Sequence, residues 1–219
     1  MKVAILGAES TGKTELARAL VAHFEANAAS ARLVPEFLRE WCISQARTPR
    51  SEEQAGIAQE QARRVQQSHA DELVIADTTP LMIAIYSDLL FGDRSLYDMA
   101  LDHQRSFDLT LVTGLDLPWV ADGLQRDGPH VREPVDALLR AALIQGKIPF
   151  QVVYGVDALR TDNALKCITA FKNMHQASTD MPASETTAAA EKAGSIWVCE
   201  RCSDPDCEHR LFTSLLPRS

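Results

Sequence analysis

Short apolar runs recur along the chain and alternate with longer stretches in which apolar residues return every three or four positions. The runs "KVAIL", "DELVIAD" and "FDLTLVT" lack the strict in-out alternation of a half-solvated strand, so they read as strands covered on both faces. Strands are predicted near 2–6, 31–35, 73–77, 109–113 and 150–154, with helical stretches between them, and that alternation implies a parallel sheet. After the first run, Leu16, Leu20, Val21 and Phe24 lie at helical spacing. The segment 51–70, "SEEQAGIAQEQARRVQQSHA", opens with Ser51 as an expected N-cap followed by two acids, and continues as a polar, Ala-rich helix in which nothing demands a ligand. Beyond "ALKCITAFKNMHQ" the residues become small, polar and free of aromatics. The expected organisation is an α/β domain over 1–175, a flexible linker over 176–195 and a Cys/His-rich tail over 196–219.

A chain of 219 residues can bury the core of one α/β domain and carry a small appendage, but not two large domains. Twenty-two basic against 30 acidic residues leave a net charge of −8, which disfavours a general binder of nucleic acid or of an anionic membrane surface. No run approaches the length of a membrane span and the N-terminus does not read as a cleavable signal, so a soluble, cytoplasmic protein is expected. Oligomeric state is not legible in the sequence.

The first strand runs directly into "GAESTGKTEL". Gly7, Gly12, Lys13 and Thr14 satisfy G-x-x-x-x-G-K-[ST], the pattern of a loop whose backbone N–H groups cradle an oligophosphate. In such a loop the lysine reaches the β and γ oxygens and the hydroxyl completes a Mg²⁺ shell. Strand, loop and helix come in the order this chemistry requires. The expected fold is α/β, a P-loop NTPase with a parallel sheet of about five strands flanked by helices and a short Cys-rich C-terminal tail. ATP and Mg²⁺ are the expected cofactors, with Gly7, Ala8, Glu9, Ser10, Thr11, Gly12, Lys13, Thr14 and Glu15 as the nucleotide-binding residues.

Ligands of open parallel sheets bind beyond the carboxyl ends of the strands. After the second strand, "PEFLREW" places Glu36 and Arg39 there; after the third, "ADTTP" places Asp77. A carboxylate in such a position either holds the water shell of Mg²⁺, together with Thr14, or accepts a proton from an attacking hydroxyl. The competing reading of Asp77 is a helix cap ahead of Pro80, and that of Glu36 and Arg39 an intrahelical ion pair. After the fourth strand, "DLPWVADGLQRDGPHVREP" mixes glycine, proline and charge as a mobile flap does, with Arg126 and Arg132 as candidate lid cations for a transferring phosphoryl group.

Taken together, "GAESTGKTEL", "PEFLREW", "IADTTP" and "PWVADGLQRDGPHVR" resemble the kinase domain of the bacterial NadR family of ribosylnicotinamide kinases, over roughly residues 1–170. The resemblance implies a P-loop kinase that uses ATP and Mg²⁺ to phosphorylate the 5′-hydroxyl of nicotinamide riboside or a related nucleoside. It puts Gly7 to Thr14 on ATP, Asp77 and Glu36 near riboside and metal, and Arg126 and Arg132 in the lid. The W-V-x-D-G-L stretch adds Trp119 and Asp122 to Glu36, Arg39 and Asp77 as substrate candidates. Family members carry an adenylyltransferase domain ahead of the kinase domain, whereas this sequence opens on the phosphate-loop strand, so NAD synthesis by that route is not expected of the chain itself. The alternative expectation is a nucleotide-dependent regulatory ATPase.

The tail carries Cys199, Cys202, Cys207 and His209 as C-x₂-C-x₄-C-x-H, a donor set suited to one structural Zn²⁺. Unliganded reduced thiols are the other reading.

Overall fold

The computed structural model describes residues 1–67, 72–120 and 128–180. Five strands form where the apolar runs predict them. The elements follow as β1 (Lys2–Leu6), α1 (Lys13–Ala26), β2 (Ala31–Val34), α2 (Phe37–Gln45), α3 (Ser51–Gln66), β3 (Leu73–Asp77), α4 (Pro80–Phe91), α5 (Tyr97–Gln104), β4 (Leu109–Thr113), α6 (Arg132–Gln145), β5 (Gln151–Val153) and α7 (Asp157–Asp180). The sheet order is β2-β3-β1-β4-β5, and the β1–β3, β1–β4 and β2–β3 pairs are parallel. Backbone contacts divide the chain into a unit Met1–Gln151 and a second unit from Val152 onward.

Every residue of β3 and β4 is buried, which is why neither run alternates in polarity. Ala4, Leu6, Val74, Ala76 and Val112 join one apolar cluster with Leu81, Ile83 and Ile85 of α4 and Val135, Leu139 and Leu143 of α6. Val3, Ile5, Ile75 and Leu111, projecting from the opposite face, are fully buried too. Each such branched side chain contributes roughly 1.5–3 kcal/mol on leaving water. On α1 the predicted stripe is used unevenly, with Leu16 and Leu20 buried and Val21 and Phe24 half-exposed.

Strand register brings the candidate residues together. Ile5 pairs with Asp77 and Leu6 with Val112, so Asp77 and Thr113 flank the start of the loop that follows β1. Val34 pairs with Ala76, which carries Pro35 and Glu36 to the same end of the sheet.

In the second unit, Arg160 and Asn163 of α7 donate to the carbonyls of Gly155 (2.7 Å) and Tyr154 (3.1 Å), fastening the helix start to the turn after β5. Helix α7 continues to Asp180, so the first five residues of the predicted 176–195 linker are helical. The remainder of that segment and the tail with Cys199, Cys202, Cys207 and His209 lie outside the described residues.

Candidate active site

The loop from Gly7 to Gly12 owes its shape to residues that tolerate unusual backbone angles. Gly7 has φ +147° and Gly12 φ +75°, and a Cβ on Gly7 would lie 2.1 Å from the Thr113 hydroxyl oxygen. Gly12 is the N-cap of α1 and offers no side chain to the first N–H groups of that helix, which leaves the helix N-terminus open to an anion. Thr11 is fully buried and its hydroxyl is engaged with the Ala8 carbonyl (2.7 Å) and with the Thr113 hydroxyl (2.6 Å), so it braces the loop from beneath. Ser10, at φ +56°, donates to the Val120 carbonyl (2.7 Å) and accepts from its N–H (2.9 Å). The side chain of Glu15, the last of the predicted nucleotide contacts, is exposed and pairs with Arg18 at 2.9 Å.

Lys13 extends across the loop and donates to the Ala8 carbonyl at 2.8 Å. Burial holds its ammonium below its ordinary range, opposed by the negative charges of Glu36, Asp77 and Glu9. An oligophosphate in the loop would reverse that balance. Behind it, the Thr14 hydroxyl donates to one Asp77 oxygen at 2.6 Å, while the other Asp77 oxygen is buried with no hydrogen-bond partner among the described residues. Asp77 is not a helix cap: that duty falls to Thr79, whose hydroxyl accepts from the Leu81 N–H (3.3 Å). A carboxylate with one buried, unsatisfied oxygen beside a hydroxyl fits a Mg²⁺ ion, which takes only one or two protein carboxylates and draws its other ligands from water and phosphate. Among the described residues no group of three or more His, Cys, Asp or Glu forms an all-protein metal cage.

A cavity of about 450 Å³ opens beside the loop. Its charged lining residues are Glu9, Lys13, Glu36, Arg39 and Arg50; apolar and aromatic walls come from Leu38 and Cys42 of α2, Tyr86, Leu89, Leu90 and Phe91 of α4, and Val135 of α6. The ion pair anticipated on spacing is present, with Arg39 Nε 3.4 Å from Glu36, and both partners face this cavity. Burial pushes the Glu36 carboxyl above its usual range, against the pull of Lys13.

Helix α3 departs from the sequence reading. Ser51 is its first residue and not its cap, with Glu53 reaching back to the Arg50 N–H at 2.8 Å. More consequentially, Gln54 of this helix lines the cavity at 2% exposure, and its amide oxygen has no hydrogen-bond partner among the described residues. No motif marks Gln54, Cys42, Tyr86 or Phe91, and only the N-terminal position of Gln54, one turn into a polar helix, offered a clue.

Downstream of β4, Arg132 is 8% exposed and donates to the carbonyls of Leu117 (2.8 Å) and Leu115 (3.3 Å), holding the loop after β4 to the start of α6. Trp119 is half-buried, and its buried indole N–H has no hydrogen-bond partner among the described residues. Asp122 and Arg126 lie outside the described residues.

A profile of the AAA domain family matches residues 2–158. The chain belongs to that family. Among solved structures, a NadR protein in complex with NR shares its fold at a TM-score of 0.64 and 17% identity over 78% of this chain; the chain spans about half, 51%, of that NadR chain. A deoxyadenosine kinase from M. mycoides with bound dATP superposes at a TM-score of 0.54 and 16% identity, over 77% of this chain and 99% of the other. The same kinase with products dCMP and dCDP gives 0.52 and 16%, over 78% and 100%. No curated protein matches the sequence significantly. The parallel sheet with a phosphate loop after its first strand is therefore the fold of these kinases, as the motif and the resemblance implied.

Proposed function

We propose that the chain is a nucleoside kinase that transfers the γ-phosphoryl group of ATP to a hydroxyl of a small nucleoside, with the 5′-hydroxyl of nicotinamide riboside as the first acceptor to test. The observation that carries this reading is the cavity. Its lining combines phosphate-loop residues and the Glu36 carboxylate with apolar and aromatic side chains and a buried amide, Gln54, whose oxygen has no hydrogen-bond partner among the described residues. A ring with an edge of donors and acceptors suits that chamber better than water does. The solved NadR protein holds NR, and the M. mycoides enzyme is a deoxyadenosine kinase, which supports the nucleoside class.

Each residue then has a role. The backbone from Gly7 to Thr14 holds the oligophosphate and Lys13 neutralises its transferring end. Thr14 and Asp77 would hold Mg²⁺, which when bound would supply neutralising charge to the phosphates. Glu36 accepts the proton of the acceptor hydroxyl as its oxygen bonds to phosphorus and the bond to the ADP oxygen breaks. A carboxylate raised by burial is a better base at neutral pH than an exposed one. Arg39 steadies Glu36, and Gln54 reads the acceptor's ring or carboxamide edge.

Incubating the purified chain with Mg²⁺-ATP and a panel of nucleosides that includes nicotinamide riboside and deoxyadenosine is expected to give ADP and a phosphorylated nucleoside, identified by mass. ADP release that no nucleoside accelerates overturns the proposal and favours the regulatory ATPase.

A further inference from the structure

Gln61 lies on α3, outside the cavity lining, and is fully buried. A buried carboxamide is a costly residue unless its donors and acceptor are all used. Here its partners are backbone groups next to each of the two candidate carboxylates. Its oxygen accepts from the Phe37 N–H at 2.7 Å, and its nitrogen donates to the carbonyls of Pro35 (3.3 Å) and Thr78 (3.5 Å). Pro35 and Phe37 bracket Glu36; Thr78 follows Asp77.

The consequence for Glu36 is specific. Glu36 is the N-cap residue of α2, the position whose side chain ordinarily satisfies a free N–H of the first turn, yet its carboxylate makes no such bond. Gln61 satisfies the Phe37 N–H from outside the helix. Phe37 is the first helical residue, whose N–H an N-cap side chain does not ordinarily serve, so Gln61 provides for a donor that Glu36 would not, and the Glu36 carboxylate lines the cavity with Lys13 and Arg39. At the other end of the clamp Thr78 holds φ +69°, a backbone setting that strains a β-branched residue and needs its surroundings to impose it. The Thr78 N–H donates to the Ile5 carbonyl at 3.1 Å, and the long Gln61 contact at its own carbonyl adds a second constraint on the residue after Asp77.

We infer that Gln61 is a positioning residue: it fixes Glu36 and Asp77 relative to each other and to Lys13 by holding the backbone beside each. It touches neither nucleotide nor acceptor. The inference rests on the proposed nucleoside kinase activity. Displacing a base by a fraction of an ångström lowers turnover while leaving the binding surfaces in place.

Gln61→Met keeps the length and volume of the side chain and removes all three hydrogen bonds. Val65→Ala, at a fully buried apolar position of α3 that does not line the cavity, provides a variant weakened in packing. With the acceptor found in the nucleoside panel, Gln61→Met is expected to lose about 10- to 100-fold in kcat, with KM for ATP within about twofold of wild type. Val65→Ala, at an equal or larger drop in melting temperature, should keep its kcat. Amide exchange should show the Phe37 N–H losing protection in Gln61→Met while the last turn of α2 does not. A wild-type kcat in Gln61→Met, or equal losses in the two variants, overturns the positioning role while leaving the kinase intact. A wild-type chain that phosphorylates no nucleoside overturns the proposed function and, with it, this role.

Discussion

Asp77 combines two properties that an ordinary structural carboxylate does not. One oxygen takes the Thr14 hydroxyl at 2.6 Å, and the other is buried with no hydrogen-bond partner among the described residues. Leaving a carboxylate oxygen unsatisfied in the interior costs stability, so the arrangement makes sense if a cation completes it. Asp77→Asn preserves the shape and the acceptor for Thr14 but removes the charge. The expected result is a fall in kcat on the order of 10²-fold or more that saturating Mg²⁺ does not restore, with a melting temperature no lower than wild type. Full turnover at saturating Mg²⁺, measured by ADP production with acceptor present, would return Asp77 to a purely structural role.

Helix α4 links the end of β3 to the far wall of the cavity. Its start is defined twice, by Pro80 in the first turn and by Thr79, which caps the Leu81 N–H and donates to the buried Gln104 at 2.7 Å. From Leu81 to Ile85 every residue is buried, so the helix cannot rotate without exposing apolar area. At the other end Gly92, at φ +67°, terminates it, leaving Leu89, Leu90 and Phe91 partly exposed where they line the cavity. Thr79→Ala removes the cap and strands the Gln104 amide, so a loss of about 1–3 kcal/mol is expected in denaturant unfolding. Thr79→Ser should recover most of it. A Thr79→Ala stability within about 0.5 kcal/mol of wild type, the range of an inert surface change, would show that the packing of α4 alone defines its start.

For the molecule as a whole, the buried titratable groups set how stability follows pH. His103 of α5 is 8% exposed and packs edge-on against Phe107. Burial holds its imidazole below the ordinary value of 6.5, and Lys2 acts in the same direction. The unfolded chain therefore binds a proton at His103 that the folded chain resists. This contribution is intact above about pH 6.5 and is lost as pH falls through the interval down to the folded-state value. Glu36 runs the other way, since its raised carboxyl favours the folded state as pH drops towards 4.5. Comparing wild type with His103→Leu isolates the histidine: the melting temperature of wild type should fall relative to that of the variant between pH 7 and 5. A difference between the two that stays constant over this range counts against the assignment.

Five strands, the phosphate loop and the nearness of Glu36, Arg39 and Asp77 to Lys13 were all legible in the order of residues. Their determinants are local: apolar runs too short for helices, glycines where a Cβ collides or φ is positive, and charges placed directly after strands that a parallel sheet must align. Which carboxylate does what was not legible, because Asp77 as a cap and Asp77 beside Thr14 have the same sequence. The choice depends on the pairing of Ile5 with Asp77, 72 positions apart. Nor could spacing separate Gln54, which opens on the cavity, from Gln61, which clamps the backbone behind it: they lie seven residues apart on α3, on nearly the same side of the helix. Arg132 reads as a free cation in a flexible stretch until the fold supplies the carbonyls of Leu115 and Leu117. Sequence determines which groups a segment can offer; only the packed sheet and its helices decide which of those groups are consumed in holding the chain and which remain for a ligand.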